Sequence, residues 1–162
     1  VRLADARPMH LGHAIDADAR FRLFVFAPAE DTGRPDGVVA GLCDWLEHDR
    51  ASPLRRHTAP GEDVDAVIDT RAVFQQDWRT LAFAAMPTLL RPHVGRLRLC
   101  DYEKVFCADC KRGADIFEMR GIDRSAGALV IVRPDQYVAQ VLPLGAREEL
   151  AAYFTGVLRR RG

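Results

Sequence analysis

Two cysteines separated by two residues, Cys107 and Cys110, have the spacing that could do chemistry in this chain. They stand at the junction between an apolar run and a stretch of helical periodicity. A helix N-terminus favours a thiolate, and a neighbouring thiol can then close a disulfide. The chemistry would be thiol–disulfide exchange. A zinc site would draw on the same residues, with His93, Cys100, Cys107 and Cys110 as four ligands. Structural zinc sites come as two close-spaced pairs, and only one such pair is present, so no metal is expected. His10 and His13 flank Leu11-Gly12. On a strand that spacing puts them on opposite faces, which does not suit a shared ligand. Asp101-Tyr-Glu-Lys104 is a dense polar cluster that reads as a solvated or interface edge.

Other chemical signatures are missing. Gly33, Gly37 and Gly41 are spaced by four, but no Lys-Ser or Lys-Thr follows, so they are not a phosphate loop. There is no GxGxxG, hence no evident flavin or nicotinamide site in this chain, and no GxSxG. No residue is assigned a catalytic or cofactor-binding role.

The elements that must position these residues follow from periodicity. Arg7 to His13 reads as a short edge strand, with Pro8 favouring an edge. Phe21 to Ala27 is a strand whose second half is continuously apolar, as in a strand covered on both faces. Val38, Val39, Leu42, Cys43 and Leu46 form a helical stripe from Asp36, the expected N-cap, to His48. Residues 49–60 read as loop and Val64 to Asp69 as a strand. Arg71 to Leu99 is an irregular insert. Asp101 to Cys107 is a strand and Asp109 to Arg120 a helix, with Gly121 as its left-handed cap. Ala128 to Val132, a turn at Pro134-Asp-Gln136, and Tyr137 to Leu142 form a hairpin. Gly145 to Arg160 is the last helix. Phe24, Val25, Val67, Ile68, Leu129 and Ile131 are expected core residues.

That order, β-α-β, insert, α-β-β-α, is the thioredoxin order. The expected fold class is α/β: one thioredoxin-like mixed sheet over residues 1–162, flanked by helices and without the redox dithiol. In that fold the dithiol follows the first core strand. Here the slot is Ala27-Pro-Ala-Glu-Asp31, without a thiol. A proline normally precedes the closing hairpin; here Ser125-Ala-Gly127 stands there. Cys107 and Cys110 sit on the wrong unit, so the chain by itself is expected to be non-catalytic.

Composition sets further bounds. The chain has 162 residues, 48% of them apolar, enough for one domain with its own core. Basic and acidic residues balance at 23 each, and the one basic run is Arg159-Arg-Arg161, so no nucleic-acid partner is expected. The longest apolar run, Leu81 to Leu90, is broken by Pro87 and too short to span a membrane. Four cysteines are not a disulfide scaffold, which favours a reduced, cytoplasmic protein. A first residue of Val rather than Met suggests a piece of a longer polypeptide. The insert carries Phe74, Trp78, Leu81, Phe83 and Met86, more large apolar side chains than a surface loop needs. These five are the expected interface residues. The alternative is that the insert completes the domain's own core.

Several strings are more specific than the pattern. Pro8-Met-His-Leu-Gly-His13, Phe21-Arg-Leu-Phe-Val-Phe26, Asp101-Tyr-Glu-Lys-Val-Phe106 and Gly127-Ala-Leu-Val-Ile-Val-Arg-Pro-Asp-Gln-Tyr-Val138 resemble the C-terminal domain of the phenol hydroxylase family. That family comprises FAD-dependent, NADPH-using aromatic hydroxylases, among them 3-hydroxybenzoate hydroxylases. The resemblance covers nearly the whole chain. It implies a dithiol-free thioredoxin-like domain that contributes to subunit association (dimerisation). FAD and NADPH would bind upstream in the parent oxidoreductase, a phenol 2-monooxygenase type. The implied partners are the upstream flavin and substrate domains and a second subunit. Two other readings remain open: a thiol oxidoreductase using Cys107 and Cys110, and a free-standing thioredoxin-like binding module.

Overall fold

The structure is a computed structural model that describes residues 1–109, 111 and 113–159. Its centre is a five-stranded mixed sheet in the order β5-β2-β1-β6-β7. The strands are β1 (Phe21–Phe26), β2 (Ile68–Phe74), β5 (Val105–Cys107), β6 (Ala128–Val132) and β7 (Val138–Leu142). β1, β2 and β5 run parallel, while β6 and β7 close the sheet as an antiparallel hairpin beside β1. Helices α1 (Val38–His48), α3 (Ile116–Arg120) and α4 (Arg147–Val157) complete the thioredoxin-like order. The insert adds a small β3–β4 hairpin (His93–Val94 and Leu99–Cys100), and α2 (Pro53–His57) follows α1. Among the described residues no helix is long and apolar enough to cross a membrane.

Alternation divides the sheet into two faces. Leu23 and Val25 of β1, Ile68, Ala72 and Phe74 of β2, and Leu129 and Ile131 of β6 point to the first face. There they meet Val39, Leu42 and Leu46 of α1, Leu54 of α2, and Leu150 and Phe154 of α4. Phe154 is fully buried and meets Phe21 edge-on, ring centroids 5.4 Å apart. The second face carries Phe24, Phe26, Val73 and Phe106 and is covered mainly by Phe117 of the five-residue α3. Five of the six expected core residues are buried; Val67 is only partly buried and packs against the core from the residue before β2.

Element boundaries differ where charge misleads. The expected strand Val64 to Asp69 is β2, displaced to Ile68–Phe74, so the insert begins after Phe74 rather than at Arg71. The expected strand Asp101 to Cys107 is ordered as a strand only from Val105. Arg7 to His13 is not a strand: Leu11–Ala14 forms a 3₁₀ turn, in which residues three apart eclipse, and the His10 and His13 rings lie 5.5 Å apart. Residues 49–60 contain α2, capped by Ser52, whose Oγ accepts from Arg55 N–H. The last helix ends at Val157, and Arg160 lies outside the described residues.

The second face also holds a buried ionic network at the N-terminal ends of the parallel strands. Lys104, just before β5, is 1% exposed and Asp69 of β2 is 0% exposed. Lys104 Nζ donates to Asp69 Oδ1 at 2.6 Å and Asp65 Oδ2 at 2.7 Å, and lies 3.2 Å from Asp101 Oδ2. Arg71 Nε donates to Asp69 Oδ2 at 2.8 Å. Arg22 Nε lies 2.9 Å from the same oxygen, an ion-pair contact whose angle falls short of a hydrogen bond. Arg22 Nη2 donates to Asp18 at 2.7 Å. Asp101-Tyr-Glu-Lys104, expected to be a solvated or interface edge, thus contributes a buried lysine.

Burial opposes ionisation of Asp69, but Lys104 and Arg71 prevail and hold its pKa below the ordinary value. Burial likewise opposes the charge on Lys104, and Asp69 and Asp65 outweigh it, raising its pKa. The Asp69 contribution to stability is therefore present above the unfolded carboxyl value, about 4, and lost as pH falls through the lower folded value. That of Lys104 is present below its unfolded value, about 10.4, and lost as pH rises through the higher folded one. Lys104→Met leaves two buried carboxylates short of a cation and is expected to cost about 3–5 kcal/mol in urea unfolding at neutral pH. The deficit should shrink in acid, as the Asp69 carboxyl protonates. A pH-independent loss under about 1 kcal/mol would mean that the network behaves like a surface pair.

Candidate association surface

In a thioredoxin-like sheet the reactive position follows the first core strand, at the N-terminus of α1. Here the expected N-cap, Asp36, yields to Gly37, and Asp31 fills the position from the preceding loop. Asp31 is buried; its Oδ1 accepts from Gly33 N–H at 2.8 Å and its Oδ2 from Val39 N–H at 2.7 Å. The donors that would stabilise a thiolate there already serve a carboxyl group. The fit is close: a Cβ on Gly37 would stand 2.5 Å from Asp31 Oδ1.

The loop before the closing hairpin packs against this position. Ala29 N–H donates to Arg124 O at 2.7 Å, and Gln75 Nε2 donates to both Ala27 O (2.9 Å) and Arg124 O (2.8 Å). Gly127 has φ +66°, and a Cβ there would come within 2.2 Å of Phe26 O. Backbone and amide groups thus occupy the space where a dithiol would face its substrate.

Cys107 lies on β5 and faces the first core, not solvent. Burial pushes its thiol up to about 11, with Asp77 adding to the shift. Cys110 lies outside the described residues. The expected helix start at Asp109 is not observed. α3 begins at Ile116, because Asp115 supplies the cap, accepting from Phe117 N–H at 3.0 Å and Glu118 N–H at 3.1 Å. The helix end that would have lowered a thiol pKa is therefore not at Cys107. Cys43, Cys100 and Cys107 are free thiols. Among the described residues no group of three or more His, Cys, Asp or Glu side chains could hold a metal.

The five interface candidates of the insert separate into two groups. Phe74 and Met86 are buried in the first core, a correction to their expected exposure: Phe74 points inward from β2, and Met86 packs beside Leu89 and Leu90. Trp78, Leu81 and Phe83 are half-buried and lean on the same core. Phe83 stacks at a tilt on Tyr102, centroids 5.0 Å apart, and Arg79 covers the Trp78 ring at 4.3 Å. Thr88 Oγ1 donates to Glu47 of α1 at 2.6 Å, fastening the insert to the domain.

A more open apolar surface lies on the second face of the β6–β7 hairpin. β6 places Val130 and Val132 there, opposite Val141 and Val138 of β7. Val138 and Val141 are three residues apart and on a regular strand would face opposite ways. The register shift at Ile131/Val132 brings both to one face, as a bulge does. They are 60% and 59% exposed. With Phe24, Ile116 and Ile122 these valines line a groove of about 780 Å³. Sequence reasoning placed Leu129 and Ile131 of the hairpin in the core, gave Tyr137 to Leu142 only as the returning strand, and missed this surface. Its signal was apolar residues of both parities in Tyr137 to Leu142.

At pH 8 a thiol titrating near 11 is thiolate about one part in a thousand. Cys107 should therefore alkylate with iodoacetamide far more slowly than an exposed cysteine, with its rate still rising above pH 10 by peptide mass mapping. Rapid modification at pH 7, levelling off below pH 8, would contradict the buried placement.

Comparison with known proteins gives this surface a context. The profile described as phenol hydroxylase, C-terminal dimerisation domain, matches residues 1–162. A 3-hydroxybenzoate 4-monooxygenase of Comamonas testosteroni is 53% identical over 160 residues, 98% of this chain and 25% of that protein. The FAD-dependent monooxygenase terD of Aspergillus terreus is 29% identical over 167 residues, 100% of this chain and 27% of that protein. The phenol 2-monooxygenase fsqG of Aspergillus fumigatus is 26% identical over 160 residues, 97% of this chain and 25% of that protein. The chain thus spans about a quarter of the length of the relatives it matches. A family match along its whole length, on a thioredoxin-like sheet whose reactive position is filled, leads to one conclusion: the chain belongs to the phenol hydroxylase C-terminal dimerisation domain family.

Proposed function

We propose that residues 1–162 are the C-terminal association unit of an FAD-dependent aromatic monooxygenase, holding two copies of that enzyme together. The observation that carries this reading is the match of the dimerisation-domain family to the whole chain. In the parent enzyme FAD and NADPH would bind in the upstream domains, which with the substrate domain are this domain's partners within one polypeptide. The substrate would be a phenolic ring, the class named by two of the relatives. The cytoplasm is the compartment that suits a chain with reduced thiols and a soluble redox partner.

The physical support lies in what the fold does with its reactive position. Asp31 and Gln75 fill it with hydrogen bonds that order the loops, and Gly127 lets the backbone close in on Phe26 O. A rigid body with its own core suits pairing, because an ordered surface loses little conformational entropy on docking. Thiol–disulfide exchange is the weaker reading, since Cys107 is buried and its pKa raised.

Sedimentation velocity of the 162-residue chain at micromolar concentration should give a dimer that dissociates on dilution. A strict monomer that also fails to bind the flavin-containing portion of the parent enzyme would refute the association role. Thiol exchange would be reinstated by insulin reduction that is lost in Cys107→Ser.

A further inference from the structure

The geometry points to the second face of the β6–β7 hairpin, centred on Val138 and Val141, as the surface on which a second copy of this chain docks. The inference rests on the association reading and adds where the contact lies.

Three observations converge on this face. First, the sheet is covered unequally. The first face lies under α1, α2 and α4, whereas the second face has only α3 and a 3₁₀ turn, which protect Phe24 and Phe26 but leave the hairpin side open. Val138 and Val141 line one apolar groove with Val130, Ile116 and Ile122, and such exposed apolar surfaces mark contact sites. The bulge in β7 is what brings both valines to that face. Bulges next to functional surfaces re-aim side chains in this way.

Second, the main chain at Val1 is occupied elsewhere. Val1 and Leu3 run along the outer edge of β5: Cys107 N–H donates to Val1 O at 2.7 Å and Leu3 N–H to Val105 O at 2.9 Å. β5 and β7 are the opposite edges of the sheet, about 19 Å apart at four strand spacings. A segment preceding Val1 would leave from the β5 edge, opposite β7, and so would not itself run across the hairpin face.

Third, the surface suits its own copy. A twofold contact requires one patch to complement itself. Here an apolar centre is bordered by Arg120 and Asp123, exposed charges of opposite sign lining the same groove. Rotated by a twofold axis, the valines meet valines and each rim can place one sign opposite the other. In the insert, Trp78, Leu81 and Phe83 lean on their own core. Among the other exposed apolar residues, Leu97 at 76% stands on the β3–β4 hairpin and serves as the contrast.

The test compares Val141→Glu with Leu97→Glu in the 162-residue chain, by sedimentation equilibrium and urea unfolding at low protein concentration. Both side chains are exposed, so both variants should unfold at the parent's midpoint as monomers. Val141→Glu should raise the dimer dissociation constant about 100-fold or more, as loss of a central contact does. Leu97→Glu should leave it unchanged. Val138→Ser, a milder change on the same face, should weaken pairing without adding charge. A parent that dimerises but keeps its affinity in Val141→Glu and Val138→Ser overturns this face while leaving the association reading intact. Dissociation by Leu97→Glu instead moves the contact to the insert and also overturns it. A parent that is monomeric throughout removes the association reading and this face together.

Discussion

The interaction on which the sheet depends is the buried contact of Lys104 with Asp69 and Asp65. Three parallel strands carry charged side chains on one face at the same end: Arg22 on β1, Asp69 and Arg71 on β2, and Lys104 just before β5. Each alone would be too costly to bury. With Asp18 and Asp65 supplying the further negative charges, they offset one another across the strands and align the parallel ends. Such a network contributes little net energy compared with an apolar replacement, but removing one member leaves an uncompensated charge. It also divides the second face. The ionic end needs no helix over it, so the apolar part is confined to the other end and to the β6–β7 side. α3 can then be five residues long, and the hairpin face is left uncovered.

The same network explains where periodicity failed. β1, α1, β6 and the closing hairpin were legible because their apolar patterns are uninterrupted: Leu23 to Phe26, the Val39-Leu42-Leu46 stripe and Ala128 to Val132 all lie where alternation or helical spacing puts them. β2 was displaced because Asp69 and Arg71 read as solvated residues ending a strand, when they are interior residues in the middle of one. A single sequence does not say that Lys104, more than thirty residues away, supplies the missing charge. The start of β5 was overextended for the related reason that its polar residues were read as an edge. Boundaries failed where long-range charge pairing overrode local pattern.

The exposed hairpin face was hidden by a different rule. Burial and docking draw on the same chemistry, so an apolar strand is read as core whether helices or a second subunit cover it. Phe74 and Met86 illustrate one side of this ambiguity, because they looked like an exposed excess and turned out to complete the domain's own core. Val138 and Val141 illustrate the other. Their spacing of three contradicts strict alternation, and only the pairing register with β6 places them together. Register is a property of two strands, so neither strand's sequence contains it.

The filled reactive position links fold to role. A redox thioredoxin-like sheet keeps its helix N-terminus free of fixed acceptors, so that the thiolate gains the stabilisation of those N–H groups. Here Asp31 takes those donors permanently, and Gln75 joins the strand ends to the loop before the hairpin. That loop leads through Gly127 directly into β6, so the bonds that exclude a dithiol also fix the hairpin's base against β1. A docking surface on β6 and β7 needs a rigid base more than it needs chemistry at the far end of the same loop. Occupying the reactive site with hydrogen bonds and presenting a firm hairpin face are therefore two consequences of one set of contacts.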